Sequence, residues 1–337
     1  MKKLLLFSLT ALLILAVVAL SGCGGGNSGG PSGNDGPGET TYTPGQASSY
    51  TVGGVPFTMR YAPSGSFKSD DNIITDDENL PGGAGHEWVT VYNPFWIAET
   101  EVTYELWSVV YQWATGDINM NGKIDGGEIA GTYKIAHTGV KGSDAVVGES
   151  NHPVTTVSWR DAMVWCNALS EMAGLTPVYK NGGVIVRDST NATLCDGVSD
   201  PIASDKGFRL PTSSEWELAA RYQNGTNWTL GNHVSGDTTG YCYPEDANTS
   251  TVFGNYAWYS GNSYDSTHPV ASTPQKNALN LYDMSGNVGE WCFDLYPYGG
   301  SSRVLRGGGW FDFAFMLRLD YPFNTFRHLG FRPVRTQ

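Results

Sequence analysis

Apolar residues are distributed along the 337-residue chain in three stretches of different character. Residues 4–20 are almost wholly apolar, with Ser8 and Thr10 as the interruptions. Residues 24–49 contain mainly Gly, Ser, Pro, Asn and Thr, a composition that predicts a flexible tether without a core. From Tyr50 onward apolar and aromatic positions recur without a second linker, so we expect one folded domain over residues 50–337.

The patterning inside this domain predicts a mixture of short helices and strands. β-branched and aromatic residues cluster in the predicted strands, and apolar residues recur with helical spacing in the predicted helices. Thr212 is followed three residues later by Glu215, a capping box that marks a helix start. The predicted elements are strands at 55–59 and 88–92 and helices at 103–112, 158–171 and 212–221. Helices and strands scattered among Gly-rich loops favour the α+β class.

The N-terminal pattern is typical of a secreted, lipid-modified protein. Two lysines precede the apolar run, which is the layout of a signal peptide. The sequence Leu20-Ser21-Gly22-Cys23 then places small residues before a cysteine, as in a bacterial lipobox. We expect residues 1–22 to be the signal peptide, and lipid on Cys23 to anchor the chain at the outer membrane or cell surface. A transmembrane anchor is the alternative, but 17 residues is at the short limit for a span.

Composition and charge narrow the classes of partner. Hydrophobic residues make up 40% of the chain and aromatic residues 12%, enough for a sizeable core. The formal net charge of −13 repels nucleic acid and anionic lipid. Beyond Cys23 the cysteines lack the CxxC spacing of zinc sites, so they are either disulfide-bonded or buried free thiols. They are Cys166, Cys195, Cys242 and Cys292.

Residues 117–128 match the twelve-residue calcium loop of an EF-hand at its marked positions. Gly122 supplies the sharp turn at the sixth position. Oxygen ligands would come from Asp117, Asn119, Asn121, Lys123, Asp125 and Glu128, with Lys123 using its backbone carbonyl and Asp125 acting through water. We expect a structural calcium ion bound with modest affinity, because only three carboxylates are present and no paired hand is evident. A polar turn without metal is the alternative.

Several sequence blocks, in order, resemble the formylglycine-generating enzyme family, also called the sulfatase-modifying-factor domain. The blocks cover nearly the whole domain. They are FWIAETEVT at 95–103, PV at 153–154, VSW at 157–159, FRLPT at 208–212, EWE at 215–217, AAR at 219–221, NLYDMSGNV at 280–288, EW at 290–291, RVLRGGGW at 303–310 and GFR at 330–332. This resemblance implies a variant of the C-type lectin fold with little regular secondary structure.

The resemblance also implies a second calcium site and the loss of the family's chemistry. In the matching segment Asn287 and Glu290 would give side-chain oxygens to calcium, and Val288 a backbone carbonyl; a hydrogen-bonded turn is the alternative. The family's oxidase uses a redox-active cysteine pair between the GGxW and GFR blocks. Residues 311–329 contain no cysteine, so that nucleophile and copper ligand are missing. We therefore expect no catalytic residues and no enzyme activity.

The C-terminal segment also resembles the variable proteins of diversity-generating retroelements. Those proteins use the same lectin-type fold to display residues that reverse transcription randomises at template adenines. The resemblance makes residues 303–332 a variable region, in which Phe311, Phe313 and Phe315 would point the same way from an extended segment. The implied displayed set is Phe311, Asp312, Phe313, Phe315, Phe323, Asn324, Phe326 and His328.

The sequence thus predicts a ligand-binding lipoprotein in which a rigid lectin-type scaffold presents an aromatic patch to a protein or other surface ligand. We expect a monomer that contacts the membrane through lipid on Cys23 and does not bind nucleic acid. Three alternatives remain open. The aromatic residues could be ordinary core, the chain could be a degenerate enzyme of the formylglycine-generating family, or it could bind sugar through calcium. The absence of Glu-Pro-Asn and Gln-Pro-Asp motifs disfavours the last.

Overall fold

The structure, a computed structural model, describes residues 41–68, 88–143, 149–199, 206–242, 249–297, 300–322 and 328–337. The predicted signal peptide and Cys23 lie outside these residues. So do three members of the predicted displayed set, namely Phe323, Asn324 and Phe326.

The folded domain begins earlier than the predicted tether boundary at residue 49. Strand β1 starts at Ala47. Upstream of it, the Tyr42 ring lies 5.2 Å from that of Tyr61 and 5.0 Å from that of Trp96 between centroids. The prediction was wrong at this boundary because one aromatic residue in a Gly/Ser/Thr-rich segment is enough to dock it on the core.

The described part of the chain contains four helices and fourteen short strands. The helices are α1 (Tyr104–Thr115), α2 (Trp159–Met172), α3 (Ala192–Asp196) and α4 (Ser213–Arg221). The strands are β1 (Ala47–Val52), β2 (Val55–Ala62), β3 (Gly65–Lys68), β4 (Trp88–Val91), β5 (Phe95–Ala98), β6 (Val140–Lys141), β7 (Val154–Thr155), β8 (Lys180–Asn181), β9 (Val184–Ile185), β10 (Phe208–Arg209), β11 (Gly289–Leu295), β12 (Arg303–Arg306), β13 (Leu329–Gly330) and β14 (Val334–Thr336).

Capping side chains set where the three longer helices begin. Thr103 accepts a hydrogen bond from the backbone N–H of Leu106 and so starts α1. Complete capping boxes start α2, with Ser158 and Asp161, and α4, with Thr212 and Glu215. The predicted helices are confirmed because these polar residues satisfy N–H groups that have no acceptor within the helix.

The larger sheet joins both ends of the domain. Its strand order is β1-β2-β5-β14-β10, so β14 lies between β5 and β10. All of its pairings are antiparallel. The domain therefore closes only when residues 334–336 are inserted next to a strand some 240 residues earlier, which makes the fold rich in long-range contacts.

The smaller sheet carries the C-terminal segment. Its order is β12-β11-β13, with β12 antiparallel and β13 parallel to β11. Glu290 of β11 faces Arg306 of β12 on one side and Gly330 of β13 on the other. The chain therefore leaves β12 at Arg306 and returns in β13 at Gly330, and both positions lie beside Glu290.

Aromatic packing holds the main core together. The Trp107 and Trp165 rings are stacked, with centroids 5.7 Å apart and planes 7° from parallel, and Phe331 packs edge-on against both. Cys166, Cys195, Cys242 and Cys292 are buried free thiols, which decides between the two alternatives left open by the sequence. Among the described residues, the helices are all too short or too polar to cross a bilayer.

Candidate ligand-binding site

The described residues between β12 and β13, 307–322 and 328, are here called the aromatic loop, and this loop leaves β12 through a glycine turn. Gly307 and Gly308 have φ angles of 89° and 69°, a region that side chains disfavour. A Cβ on Gly308 would lie 3.1 Å from the carbonyl oxygen of Met316, so the loop folds back tightly on itself here. The backbone N–H of Trp310 then donates to the carbonyl of Asn287 at 2.9 Å. The turn therefore fixes the start of the loop against the smaller sheet.

Phe313 and Phe315 form an exposed pair at the surface of this loop. Their side chains are 65% and 39% exposed, and the rings stack with centroids 6.1 Å apart and planes 11° from parallel. They flank Ala314, the buried first residue of the 3-10 turn Ala314–Leu317. The pair therefore points to solvent, as the sequence predicts, although a turn rather than an extended strand positions it.

Asp312 does not belong to the displayed set, and that prediction was wrong. Its side chain is 3% exposed, and its carboxylate accepts a hydrogen bond from the backbone N–H of Gly309 at 2.7 Å. Its carbonyl accepts from Ser260 at 3.0 Å. Burial raises the pKa of Asp312 to about 6. The residue braces the loop from inside because a carboxylate this close to the glycine turn satisfies a backbone donor instead of facing water.

Phe311 also departs from the predicted arrangement, because it does not point with Phe313 and Phe315. Its ring is half-buried and lies 5.5 Å from that of Trp310 and 6.3 Å from that of His328. His328 has a φ angle of 59° and its ring lies 5.6 Å from that of Trp310. Phe311 and His328 therefore form a second, partly covered aromatic group next to the exposed pair.

Buried residues fasten the loop to the domain on its far side. Leu317 and Leu319 are fully buried. The Leu317 carbonyl accepts from the Ser285 hydroxyl at 3.1 Å, and the Leu319 carbonyl accepts from Nη1 of Arg306 at 2.9 Å. The exposed rings therefore stand on a segment whose alternate residues are immobilised by packing and hydrogen bonds.

The second predicted calcium site is instead a buried ion pair, so the prediction for Asn287, Val288 and Glu290 was wrong. The Glu290 carboxylate accepts from Nε and Nη2 of Arg332 at 2.6–2.9 Å and from the Trp216 indole at 2.8 Å. Asn287 uses its amide group on the backbone of His268 instead. A cation would have to displace a fully buried guanidinium, because both carboxylate oxygens are occupied.

The GFR block at 330–332 was noted in the sequence, but the ion pair between its Arg332 and Glu290 was not predicted. The Arg332 guanidinium is fully buried and also donates to the carbonyls of Ala98, Glu99 and Tyr282. One side chain thus ties β5, the segment before β11 and β11 itself together. An arginine inside an otherwise apolar C-terminal block was the signal that could have revealed it.

A family model for the sulfatase-modifying factor enzyme 1-like domain matches residues 53–337. The chain belongs to this family. Its relatives include chaperone protein LppX of Paenibacillus barcinonensis, 32% identical over 182 residues that cover 50% of this chain and 63% of LppX. They also include the inactive Cα-formylglycine-generating enzyme 2 of Mus musculus, 35% identical over 114 residues that cover 32% of this chain and 33% of that protein. In both cases the match spans less than two thirds of the relative's length.

Two solved structures share this architecture. Treponema denticola variable protein 1 superposes with a TM-score of 0.61 and 29% identity, covering 86% of this chain and 99% of its own. CarF superposes with a TM-score of 0.57 and 27% identity, covering 83% and 98%. The predicted α+β, C-type lectin-like fold is therefore confirmed, and so is the resemblance to a variable protein. The family contains proteins named as enzymes and proteins named as inactive.

The EF-hand-like loop follows α1 directly. Glu128 reaches back to accept from the N–H groups of Ile118 and Asn119 at 2.8 and 3.0 Å, so the two ends of the loop meet. Asp117 accepts from the N–H of Gly122 at 2.8 Å and from the hydroxyl of Tyr111 at 3.1 Å. The polar side chains of the loop thus turn inward onto its own backbone.

The donor chemistry of this loop fits calcium, because every predicted ligand offers oxygen. Asn119 and Asn121 use their amide nitrogens to bond Asp125 at 3.3 and 3.1 Å, and their amide oxygens accept from backbone N–H groups. The described residues contain no group of three or more His, Cys, Asp or Glu side chains arranged to hold a metal ion. The predicted calcium ligands of this loop are of a different kind, because asparagine amide oxygens and a backbone carbonyl oxygen complete the carboxylates.

The thiols of this family member are far from reactive. Burial raises the pKa of Cys195 to about 11 and that of Cys242 to about 12, and it raises the pKa of Cys166 and Cys292 as well. A thiol nucleophile needs an accessible, low-pKa sulfur. The four cysteines of the domain therefore have the environment of structural residues.

Proposed function

We propose that the protein is a lipid-anchored binding protein that uses the aromatic loop to hold a surface ligand, and that a retroelement diversifies this loop. The observation that carries the proposal is the stacked Phe313–Phe315 pair, exposed on a segment whose neighbouring residues are buried. Exposed rings on a rigid support bind partners well, because little conformational freedom is lost on association. The similarity to Treponema denticola variable protein 1 over most of the chain supports the same conclusion.

Binding can be tested with the double variant Phe313→Ala/Phe315→Ala on an array of purified bacterial and host surface proteins. We expect at least one partner of the wild type to lose binding by about tenfold or more, since aromatic hot spots commonly contribute 2 kcal/mol or more, roughly. The matched control is Tyr92→Ala, which removes an 83% exposed ring directly after β4. If both variants bind every partner as the wild type does, the aromatic pair is not the binding surface.

The diversification can be tested at the level of the gene. We expect a reverse-transcriptase gene nearby and a near-repeat of the segment that encodes residues 303–332, with differences confined to adenines of the repeat. The codons for Phe311, Phe313, Phe315 and His328 would differ between isolates, whereas those for Asp312 and Leu317 would not, because these two residues are buried. Invariant loop codons across isolates would contradict this part of the proposal.

Absence of the family's oxidase chemistry is part of the proposal. It is supported by the lack of cysteine in residues 311–329 and by the burial of all four domain thiols. The runner-up is a degenerate or divergent enzyme. Incubation with a sulfatase-derived cysteine peptide, oxygen, copper and a thiol reductant tests this, because oxygen takes two electrons from the cysteine and two from the reductant. Conversion of the cysteine to formylglycine, with release of sulfide and water, would establish the enzyme.

We also propose that the EF-hand-like loop holds one structural calcium ion, through the side chains of Asp117, Asn119, Asn121 and Glu128 and the carbonyl of Lys123, with Asp125 acting through water. Terbium is the probe, because Tyr111 donates to Asp117 at 3.1 Å and would sensitise a bound lanthanide. We expect luminescence that calcium displaces and that Glu128→Gln weakens. The control is Glu149→Gln, a carboxylate outside the loop. Luminescence insensitive to Glu128→Gln would contradict the site.

The same proposal places the protein outside the cytoplasm as a monomer, attached to the outer membrane or cell surface by lipid on Cys23 and without nucleic-acid partners. The lipobox-like sequence before Cys23 and the net charge of −13 support it. Labelling of growing cells with radioactive palmitate is the test. Incorporation that is lost in Cys23→Ala is expected, and equal incorporation in both would contradict the anchor.

A further inference from the structure

A second concave surface lies where the start of α2, the end of α3 and strands β11 and β12 meet, and it shares no residue with the exposed phenylalanine pair. It is an open cleft of about 240 Å³, here called the arginine cleft. It is lined by Ser158, Trp159, Arg160, Asp196, Trp291, Ser301, Ser302 and Arg303. Two guanidinium groups and one carboxylate leave the lining with one positive charge in excess, in a chain whose net charge is −13.

Arg303 is the central group of the cleft and has unused hydrogen-bonding capacity. Its guanidinium carbon lies 3.6 Å from the centroid of the Trp159 ring, and its side chain is 13% exposed. Nη1 donates to the carbonyl of Phe293 at 2.8 Å, while Nη2 stays 3.9 Å from Asp196. A guanidinium has five N–H donors. Among the described residues, the Arg303 guanidinium therefore makes one hydrogen bond, and its packing against the Trp159 ring holds its plane in position.

Asp196 is committed to the other arginine. Its two oxygens accept from Nε and Nη2 of Arg160 at 3.1 and 2.6 Å, a bidentate pair. The Arg160 hydrogen bond, and next the charges of Arg160 and Arg303, lower the pKa of Asp196. The carboxylate thus neutralises Arg160 and reaches Arg303 only at the longer distance. Arg303 is left as the cation that an incoming anion would meet.

The other walls are suited to a hydroxylated molecule with an apolar face. Trp291 is half-buried, and its indole N–H is already used on the carbonyl of Val157 at 3.0 Å, so it offers its ring rather than its donor. Ser301 and Ser302 also line the cleft and can supply hydroxyl groups. Trp159 is the first residue of α2, whose N-terminal end carries partial positive charge.

From these contacts we infer that the arginine cleft binds a small monocarboxylate of the sugar-acid class. Arg303 would pair with the carboxylate, because the planar fork of a guanidinium matches two carboxylate oxygens. The ring of the sugar would lie against Trp291, and its hydroxyls would reach the serines. A single negative charge matches the single excess positive charge of the lining. A phosphate dianion would leave one charge uncompensated beside Asp196.

Sodium D-glucuronate is the probe, measured by isothermal titration calorimetry on the full domain at low ionic strength. D-glucose tests the need for the carboxylate, and inorganic phosphate tests the choice of anion. We expect millimolar binding of glucuronate, no detectable binding of glucose, and weaker binding of phosphate. Arg303→Met should weaken glucuronate binding by about tenfold or more.

The second variant is Asp196→Asn, which separates the inference from loss of folding. It removes the carboxylate that competes for both arginines, so glucuronate should bind several-fold more tightly, a gain that a misfolded protein would not show. Thermal unfolding of each variant checks that the domain is intact. Equal affinity for glucose and glucuronate, tighter binding of phosphate, or unchanged affinity in Asp196→Asn would each overturn the inference.

Discussion

Asp312 gives a quantitative test of how the aromatic loop is built. The perturbation is Asp312→Asn, which keeps the shape of the side chain and an oxygen acceptor for the N–H of Gly309 but removes the ionisable proton. Burial raises the pKa of the Asp312 carboxyl from 3.8 to about 6, and the Gly309 hydrogen bond only partly opposes this. The ionised carboxylate is therefore disfavoured in the folded protein.

The magnitude and sign follow from that difference. A change from 3.8 to about 6 corresponds to about 3 kcal/mol of free energy. Because the folded pKa is the higher one, Asp312 contributes its full stability below pH 3.8 and loses it as the pH rises to about 6. We expect Asp312→Asn to match the wild type in free energy of unfolding near pH 4, and to exceed it by about 3 kcal/mol near pH 7.5.

The measurement is urea unfolding of both proteins between pH 4 and pH 8, followed by tryptophan fluorescence. Asp188→Asn is the control of opposite sign. Burial raises the pKa of Asp188, but hydrogen bonds from Thr190 outweigh it and the net pKa is lowered. Its substitution should therefore destabilise the protein at neutral pH and have no effect in acid. A difference between wild type and Asp312→Asn that stays constant with pH would refute the buried position of Asp312.

Three further predictions concern the scaffold. Arg332→Met leaves the Glu290 carboxylate buried without its cation and should lower the free energy of unfolding by about 3–5 kcal/mol in urea titrations, so a loss below 1 kcal/mol would contradict the ion pair. Thr212→Ala removes one half of a capping box and should lower the same quantity by about 1 kcal/mol, whereas Thr226→Ala, in an exposed turn, should change it little. The four domain thiols should react with an aromatic disulfide reagent only after unfolding, and rapid reaction in the folded protein would contradict their burial.

Local signals in the sequence were enough to place the longer helices. Ser158 with Asp161 and Thr212 with Glu215 are short-range pairs, and each starts its helix where predicted. The insertion of β14 between β5 and β10 depends on residues far apart in the chain, and the residue pattern alone did not predict it. The fold family could still be identified, because its sequence blocks carry that long-range information.

The candidate site was predicted in part. Phe313 and Phe315 are exposed as expected, because the turn places both rings outside while Ala314 points inward. Phe311 was misplaced because strand alternation was assumed where a glycine turn and a 3-10 turn occur. Asp312 was misplaced because it was placed in the displayed set by family resemblance, which does not show that its side chain is buried. The calcium prediction at Glu290 failed since the position of Arg332, 42 residues later, is a property of the folded chain.

The position of Arg332 and β14 after the aromatic loop has a consequence for protein synthesis. A shift of reading frame anywhere between residues 311 and 328 would replace the guanidinium that neutralises Glu290 and the strand that joins β5 to β10. Such a product could not complete its larger sheet and would be exposed to proteolysis. Codon changes in the loop that preserve the reading frame leave these downstream residues unchanged. The fold therefore accepts exchanged side chains in the loop, whereas frame-shifted products cannot fold and are open to degradation.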